Sequence, residues 1–189
     1  MNITSAVFVK GVVEEDEILD NGIPQVAFIG RSNVGKSSVI NTLANQGGLA
    51  KTSSFPGRTQ QINIFLINKT VYLVDLPGYG FAKGSKDLQG KIQRLIYWYL
   101  LNSHYKQKKV VFIVDAAVGV TGTDFEMLHS LEQAGKNIVI VANKVDKIKS
   151  SQYKKQLQSI QNAVGTYKVI AYSAEKKIGV EELAKEILG

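Results

Sequence analysis

Val26-Ala27-Phe28-Ile29-Gly30-Arg31-Ser32-Asn33-Val34-Gly35-Lys36-Ser37 joins a short apolar run to a loop bounded by glycines. The first four residues are β-branched, aromatic or small and do not alternate with polar ones, the pattern of a strand covered on both faces. The remaining eight fit G-x-x-x-x-G-K-[ST] between that strand and an expected helix. Glycines let such a loop wrap closely around phosphate, so that successive backbone N–H groups face the anion. The dipole of the following helix adds to them. Gly30, Arg31, Ser32, Asn33, Val34, Gly35, Lys36, Ser37 and Ser38 are therefore the expected phosphate-binding set. In it Lys36 supplies charge to the β- and γ-phosphates, and the Ser37 hydroxyl is a magnesium ligand.

Working outward, three more apolar runs have the same character: Val110–Val114, Ile138–Val141 and Val169–Tyr172. Ile62–Ile67 and Val71–Asp75 flank the polar break Asn68-Lys69 and read as a hairpin, which makes one edge strand antiparallel. Between them, Leu88, Ile92, Leu95, Ile96 and Tyr99 recur at helical spacing and predict a helix from Lys86 to about His104. Thr123 with Glu126 reads as a capping box, and Lys154–Ala163 and Val180–Leu188 are two further helices. Strands alternating with helices give an α/β P-loop fold, a doubly wound and mostly parallel sheet with helices on both faces. The whole chain, 1–189, reads as one domain, with about 20 N-terminal residues as an extension packed on or near the core.

The P-loop does not choose the base. Asn143-Lys144-Val145-Asp146, after the strand at 138–142, is the N-K-x-D pattern. The Asp146 carboxylate can accept from guanine N1–H and the 2-amino group, whereas adenine offers neither donor and leaves the carboxylate unpaired. Lys144 lays its stem over the base, and Asn143 ties this loop to the P-loop. Ser173-Ala174-Glu175 places the Ala174 N–H for guanine O6. Asp75-Leu76-Pro77-Gly78 fits D-x-x-G: Asp75 holds magnesium through water and the Gly78 N–H meets the γ-phosphate. Upstream, in Pro56-Gly57-Arg58-Thr59, Thr59 is the chosen switch hydroxyl on magnesium, with Thr52 the alternative. Both loops relax when the γ-phosphate leaves. The expected ligands are GTP or GDP and Mg2+; Lys36, Thr59 and Gly78 form the expected catalytic set.

Pro56-Gly57-Arg58-Thr59-Gln60, Asp75-Leu76-Pro77-Gly78-Tyr79-Gly80 and Gly30-Arg31-Ser32-Asn33 together resemble the EngB family of bacterial GTPases, over nearly the whole chain. The resemblance implies a role in assembly of the large ribosomal subunit, with rRNA and ribosomal proteins as partners, and a part in cell division and septation. The chain departs from it at Asn143-Lys144-Val145-Asp146, where Thr-Lys-Ala-Asp is frequent, and at Asp115–Gly119, which lacks an expected Arg-His and Pro.

Where Ras-like enzymes carry the Gln that orients water, this chain has Tyr79, so intrinsic hydrolysis is expected to be slow. Related G-x-x-N-x-G-K-S loops imply that Asn33 helps hold a potassium ion near the phosphates; local hydrogen bonds that fix the loop are the alternative. Arg58 can spread charge onto phosphate, though a surface or partner role is the more ordinary one.

Composition sets the remaining bounds. Without cysteine, disulfides, thiolate metal sites and thiol catalysis are excluded. His104 and His129 are too few for a multi-histidine zinc site. No apolar run approaches the ~18 residues of a membrane span, and no signal peptide is visible, so a cytoplasmic protein is expected; a monomer is the expected state. The net charge of +7 favours polyanionic partners. Lysines at 106, 108 and 109, at 147 and 149, at 154 and 155, and at 176 and 177 are candidates for an RNA-facing surface, against the ordinary reading of solvated faces. Tyr97-Trp98-Tyr99 is read as packing rather than a base-stacking platform, and Glu14–Glu17 as solvated loop. Phe81 and Lys83 are expected partner contacts.

Overall fold

The computed structural model describes residues 3–51, 61–80 and 85–189. Seven strands form one sheet: β1 (Ala6–Val12), β2 (Gln25–Gly30), β3 (Ile62–Ile67), β4 (Val71–Asp75), β5 (Gln107–Asp115), β6 (Ile138–Asn143) and β7 (Val169–Ala171). Their order across the sheet is β1-β3-β4-β2-β5-β6-β7. The pairs from β4 to β7 are parallel, and β3 is antiparallel to both of its neighbours.

The antiparallel strand is the one read from the Ile62–Ile67 hairpin, but it lies one place in from the edge. The N-terminal segment supplies the edge instead, with β1 pairing Ala6 to Ile67 through Val12 to Ile62. A register shift between Phe8 and Lys10 breaks the alternation of β1, which hides it in the sequence.

Among the described residues, five α-helices cover the sheet: α1 (Lys36–Leu43), α2 (Lys86–Tyr97), α3 (Gly122–Gln133), α4 (Tyr153–Val164) and α5 (Val180–Leu188). Alternate residues of β5 serve opposite cores. Val110, Phe112 and Val114 join Ile92, Leu128 and Ile160 of α2, α3 and α4. Val111 and Ile113 join Ile40 and Leu183 of α1 and α5. All six β2 residues are buried. Each large aliphatic side chain removed from water this way contributes about 1.5–3 kcal/mol.

Two helix ends differ from the sequence reading. α2 starts where Ser85 Oγ accepts from the Leu88 N–H, and its last turn widens into a π-turn over Trp98–Asn102 instead of continuing to His104. That turn buries Tyr99, whose hydroxyl donates to Gln25 Oε1 at 2.7 Å. The N-cap of α3 is Thr121 rather than Thr123, because Asp124 accepts from the Thr121 backbone N–H at 2.9 Å. The acidic run is partly structured too. Asp16 pairs with Lys10 and caps the short 3-10 turn Glu17–Leu19. Among the described residues, no helix is long and apolar enough to cross a membrane.

Candidate nucleotide site

The carboxyl ends of β2, β4, β5 and β6 and the chain after β7 converge at one end of the sheet, where open α/β folds bind ligands. Gly35 is the N-cap of α1 with φ 97°, a conformation that strains any L side chain. A Cβ there would lie 2.5 Å from Asn143 Nδ2. The turn is thus fixed by both its backbone conformation and its neighbour.

Asn143, at the end of β6 and buried, donates from Nδ2 to the Val34 carbonyl at 2.8 Å. Its Oδ1 accepts from the Ala174 N–H at 3.3 Å. Lys144 has φ 67° and donates to the Asn33 carbonyl at 2.7 Å and to Asp115 Oδ2 at 2.8 Å. A non-glycine residue held in that region is strained, and here two hydrogen bonds hold it. Asp146 is gripped by the Ser173 hydroxyl at 2.5 Å, which is the first cause that holds its carboxyl below the usual range. These groups line a cavity of about 380 Å3 running from Gly35 and Ser38 past Asn143 and Lys144 to Asp146 and Ala174.

At the other end of the cradle, Asp75 terminates β4. It is buried, and burial pushes its carboxyl up to about 6, against the opposing charge of Lys36 and the Ser37 hydrogen bond. Ser37 Oγ donates to Asp75 Oδ2 at 3.3 Å, while Asp75 Oδ1 is buried with no hydrogen-bond partner among the described residues. A free carboxylate oxygen beside a serine hydroxyl suits a hard cation whose other ligands are phosphate oxygens and water. Among the described residues, no group of three His, Cys, Asp or Glu offers a competing metal cage. The ammonium of Lys36 is pushed below its ordinary range by burial, partly offset by Asp75.

After β4 the chain folds back onto the P-loop. The Ser32 N–H donates to the Tyr79 carbonyl at 2.9 Å. A Cβ on Gly78 would meet the Ser32 Cα at 2.8 Å and Lys36 Nζ at 3.2 Å, so only glycine fits. The Tyr79 side chain is turned into the core. It is 8% exposed, with its ring beside Phe112 and its hydroxyl on Asp124 at 2.8 Å. The Arg31 side chain also goes to Asp124, through Nε at 3.0–3.1 Å.

The structure thus gathers Gly30–Ser38, Asp75, Gly78, Asn143, Lys144, Asp146, Ser173 and Ala174 at one end of the sheet. Asn33 is exposed at its turn. Thr52, Gly57, Arg58, Thr59, Phe81 and Lys83 lie outside the described residues. Sequence reasoning missed Asp124 and Asp115. Thr121-Gly122-Thr123-Asp124 does carry a capping-box signal for the first. Nothing local marks Asp115 as the partner of Lys144.

Residues 25–144 match the family described as "50S ribosome-binding GTPase". The chain is 44% identical over 186 residues to "Probable GTP-binding protein EngB" of Clostridium perfringens, covering 97% of this chain and 94% of that one. With the protein of the same name from Caulobacter vibrioides it shares 43% identity over 186 residues, 96% of this chain and 81% of the other. Among solved structures, a crystal structure of a probable GTP-binding protein engB superposes with a TM-score of 0.72 at 23% identity, covering 87% of this chain and 96% of that one. Era in complex with MgGDPNP and nucleotides 1506–1542 of 16S ribosomal RNA gives 0.71 at 24%, over 87% and 55%. At those identities the two structures speak to fold alone. With sequence relatives matched over almost their full length, the chain belongs to the EngB family of P-loop GTPases.

Proposed function

We propose that this protein binds GTP with Mg2+, hydrolyses it slowly, and acts as a nucleotide switch in assembly of the large ribosomal subunit, in the cytoplasm and as a monomer. Residues 1–189 act as one GTPase domain. The observation that carries the reading is the tie between loops: Asn143 and Lys144 bind the Val34 and Asn33 carbonyls, so a guanine held by Asp146 has its phosphates at Lys36. The Ala174 N–H serves guanine O6. Ser37 and Asp75, the latter through water, hold the magnesium ion, which supplies charge neutralisation at the phosphates when bound. The Gly78 N–H meets the γ-phosphate, and Thr59 completes the site.

Slow turnover is supported by Tyr79, whose side chain is committed to Asp124 and so does not orient an attacking water. The missing element is supplied from outside, by the ribosomal partner and by a potassium ion at Asn33. The partner reading is supported by the matched family's description and the +7 charge. Of the lysines considered for RNA, Lys109 and Lys147 are spent on Glu186 and Glu175. Lys106, Lys108, Lys149, Lys154, Lys155 and Lys176 stand exposed and are left for a polyanion.

The test is GTP turnover by the purified protein in potassium and in sodium, with and without large ribosomal subunits. Acceleration by subunits, greatest in potassium, is expected. Tight GTP binding with no acceleration under any condition would replace the assembly switch with a division regulator that uses GTP only as a conformational ligand. Identical rates in both cations would remove potassium from Asn33.

A further inference from the structure

Asp124 is completely buried, in the first turn of α3, and three elements converge on it. Arg31 of the P-loop donates from Nε to both carboxylate oxygens, at 3.1 and 3.0 Å. Tyr79, from the segment after β4, donates its hydroxyl to Oδ1 at 2.8 Å. The Thr121 backbone N–H and hydroxyl donate to Oδ2 at 2.9 and 2.8 Å. A buried carboxylate is costly unless it is paired and its lone pairs are filled, and here both conditions hold. Capping α3 needs only Thr121; the other two partners belong to the nucleotide site.

The backbone shows what they accomplish. Arg31 and Tyr79 are paired as a parallel bridge, and the Tyr79 carbonyl takes the Ser32 N–H. Gly78, one residue earlier, is thereby pressed against Ser32 and the Lys36 ammonium. Each side of this junction carries a side chain that ends on Asp124. Resting on the proposed GTP site, we infer that Asp124 is a positioning residue for the γ-phosphate contact: through Arg31 and Tyr79 it clamps Gly78 onto the P-loop. A carboxylate outside all the sequence motifs then sets how well the site tells GTP from GDP, because Gly78 meets only the third phosphate.

The clamp predicts a selective loss. Asp124→Asn keeps the shape but removes the charge that holds Arg31, and an amide cannot accept every hydrogen bond offered. Affinities for GDP and a non-hydrolysable GTP analogue are measured by displacement of a fluorescent nucleotide. Asp124→Asn is expected to lose about tenfold or more for the analogue and less than about threefold for GDP. Tyr79→Phe keeps the ring on Phe112 and is expected to show the same selectivity, about threefold. Thr121→Ala removes one cap contact and is expected to lower thermal stability while leaving the affinity ratio alone.

Equal losses for both nucleotides in Asp124→Asn, or an unchanged ratio in folded protein, overturn the clamp and leave Asp124 a helix cap. If Asp124→Asn does not fold, an unchanged ratio in Tyr79→Phe overturns it. Failure of the unsubstituted protein to bind either nucleotide sinks the GTP reading itself, and the clamp with it.

Discussion

The side-chain amide of Asn143 joins the two halves of the nucleotide site by a single buried hydrogen bond of 2.8 Å to the carbonyl of Val34. Val34 belongs to the loop proposed to hold the phosphates and Asn143 to the loop proposed to hold the base, 109 positions later in the chain. Truncating Asn143 leaves a buried carbonyl and the Ala174 N–H short of a partner, at about 1–3 kcal/mol. Asn143→Ala should therefore weaken GTP and GDP alike by roughly ten- to a hundredfold, read by isothermal titration. An effect on one nucleotide only would show that the bond does not hold the two loops together.

In the proposed function base choice rests on Asp146, whose carboxyl the Ser173 hydroxyl holds below the usual range. Asp146→Asn exchanges an acceptor for a donor facing the guanine 2-amino group. GTP affinity should fall by about 3 kcal/mol, roughly a hundredfold. Xanthosine triphosphate, with a carbonyl at that position, should bind better than it does to the unsubstituted protein. Competition between the two nucleotides measures both.

At Asp75 stability and function pull in opposite directions. Among the described residues its Oδ1 is buried with no hydrogen-bond partner, and its ionised form is disfavoured by burial. Asp75→Asn should raise the melting temperature of nucleotide-free protein, by about 1–3 kcal/mol of stability, since an amide costs less to bury than a carboxylate. The same variant should lose the dependence of GTP affinity on magnesium, read by titrating EDTA. A less stable apo variant would mean that the countercharge Asp75 offers the buried Lys36 outweighs the cost of burying the carboxylate.

Far from the site, Glu186 of α5 pairs with Lys109 and, at 2.9 Å, with Lys168. Lys109 first and then Lys168 hold its carboxyl below the usual range. The folded state thus binds this proton less tightly than the unfolded one, so the stabilisation is complete above the unfolded value of about 4.3 and disappears as pH falls through the folded value. Glu186→Gln should lower stability by about 1 kcal/mol at neutral pH, with the gap closing in acid. Thermal melts of both proteins from pH 7 to about 3 provide the comparison.

How far the sequence could be read follows from where each piece of physics sits. The buried strands and the motifs at 30–37 and 143–146 are contiguous, and their chemistry depends on neighbours in sequence, so they were legible. Strand β1 was not: a register shift and Gly11 interrupt its pattern, and its pairing partners lie beyond residue 60. Asp124 was legible only as a helix cap. Its bonds to Arg31 and Tyr79 span 93 and 45 positions, and no local pattern encodes them. The start of α3 was misplaced for a related reason, since two threonines stand two residues apart and only the Asp124 contact chooses between them.

The position of β1 also has a consequence in time. As the chain is synthesised, Val7, Phe8 and Val9 emerge early, but Leu66 and Phe65, the β3 partners of the first two, follow about 60 residues later. At about 5–20 residues per second, this apolar segment waits some 3–12 seconds with its ladder unformed. Even in the finished fold these three side chains remain over a third exposed. This edge strand is therefore made well before its partner can secure it, and this is the interval in which a nascent chain would need shielding from its neighbours.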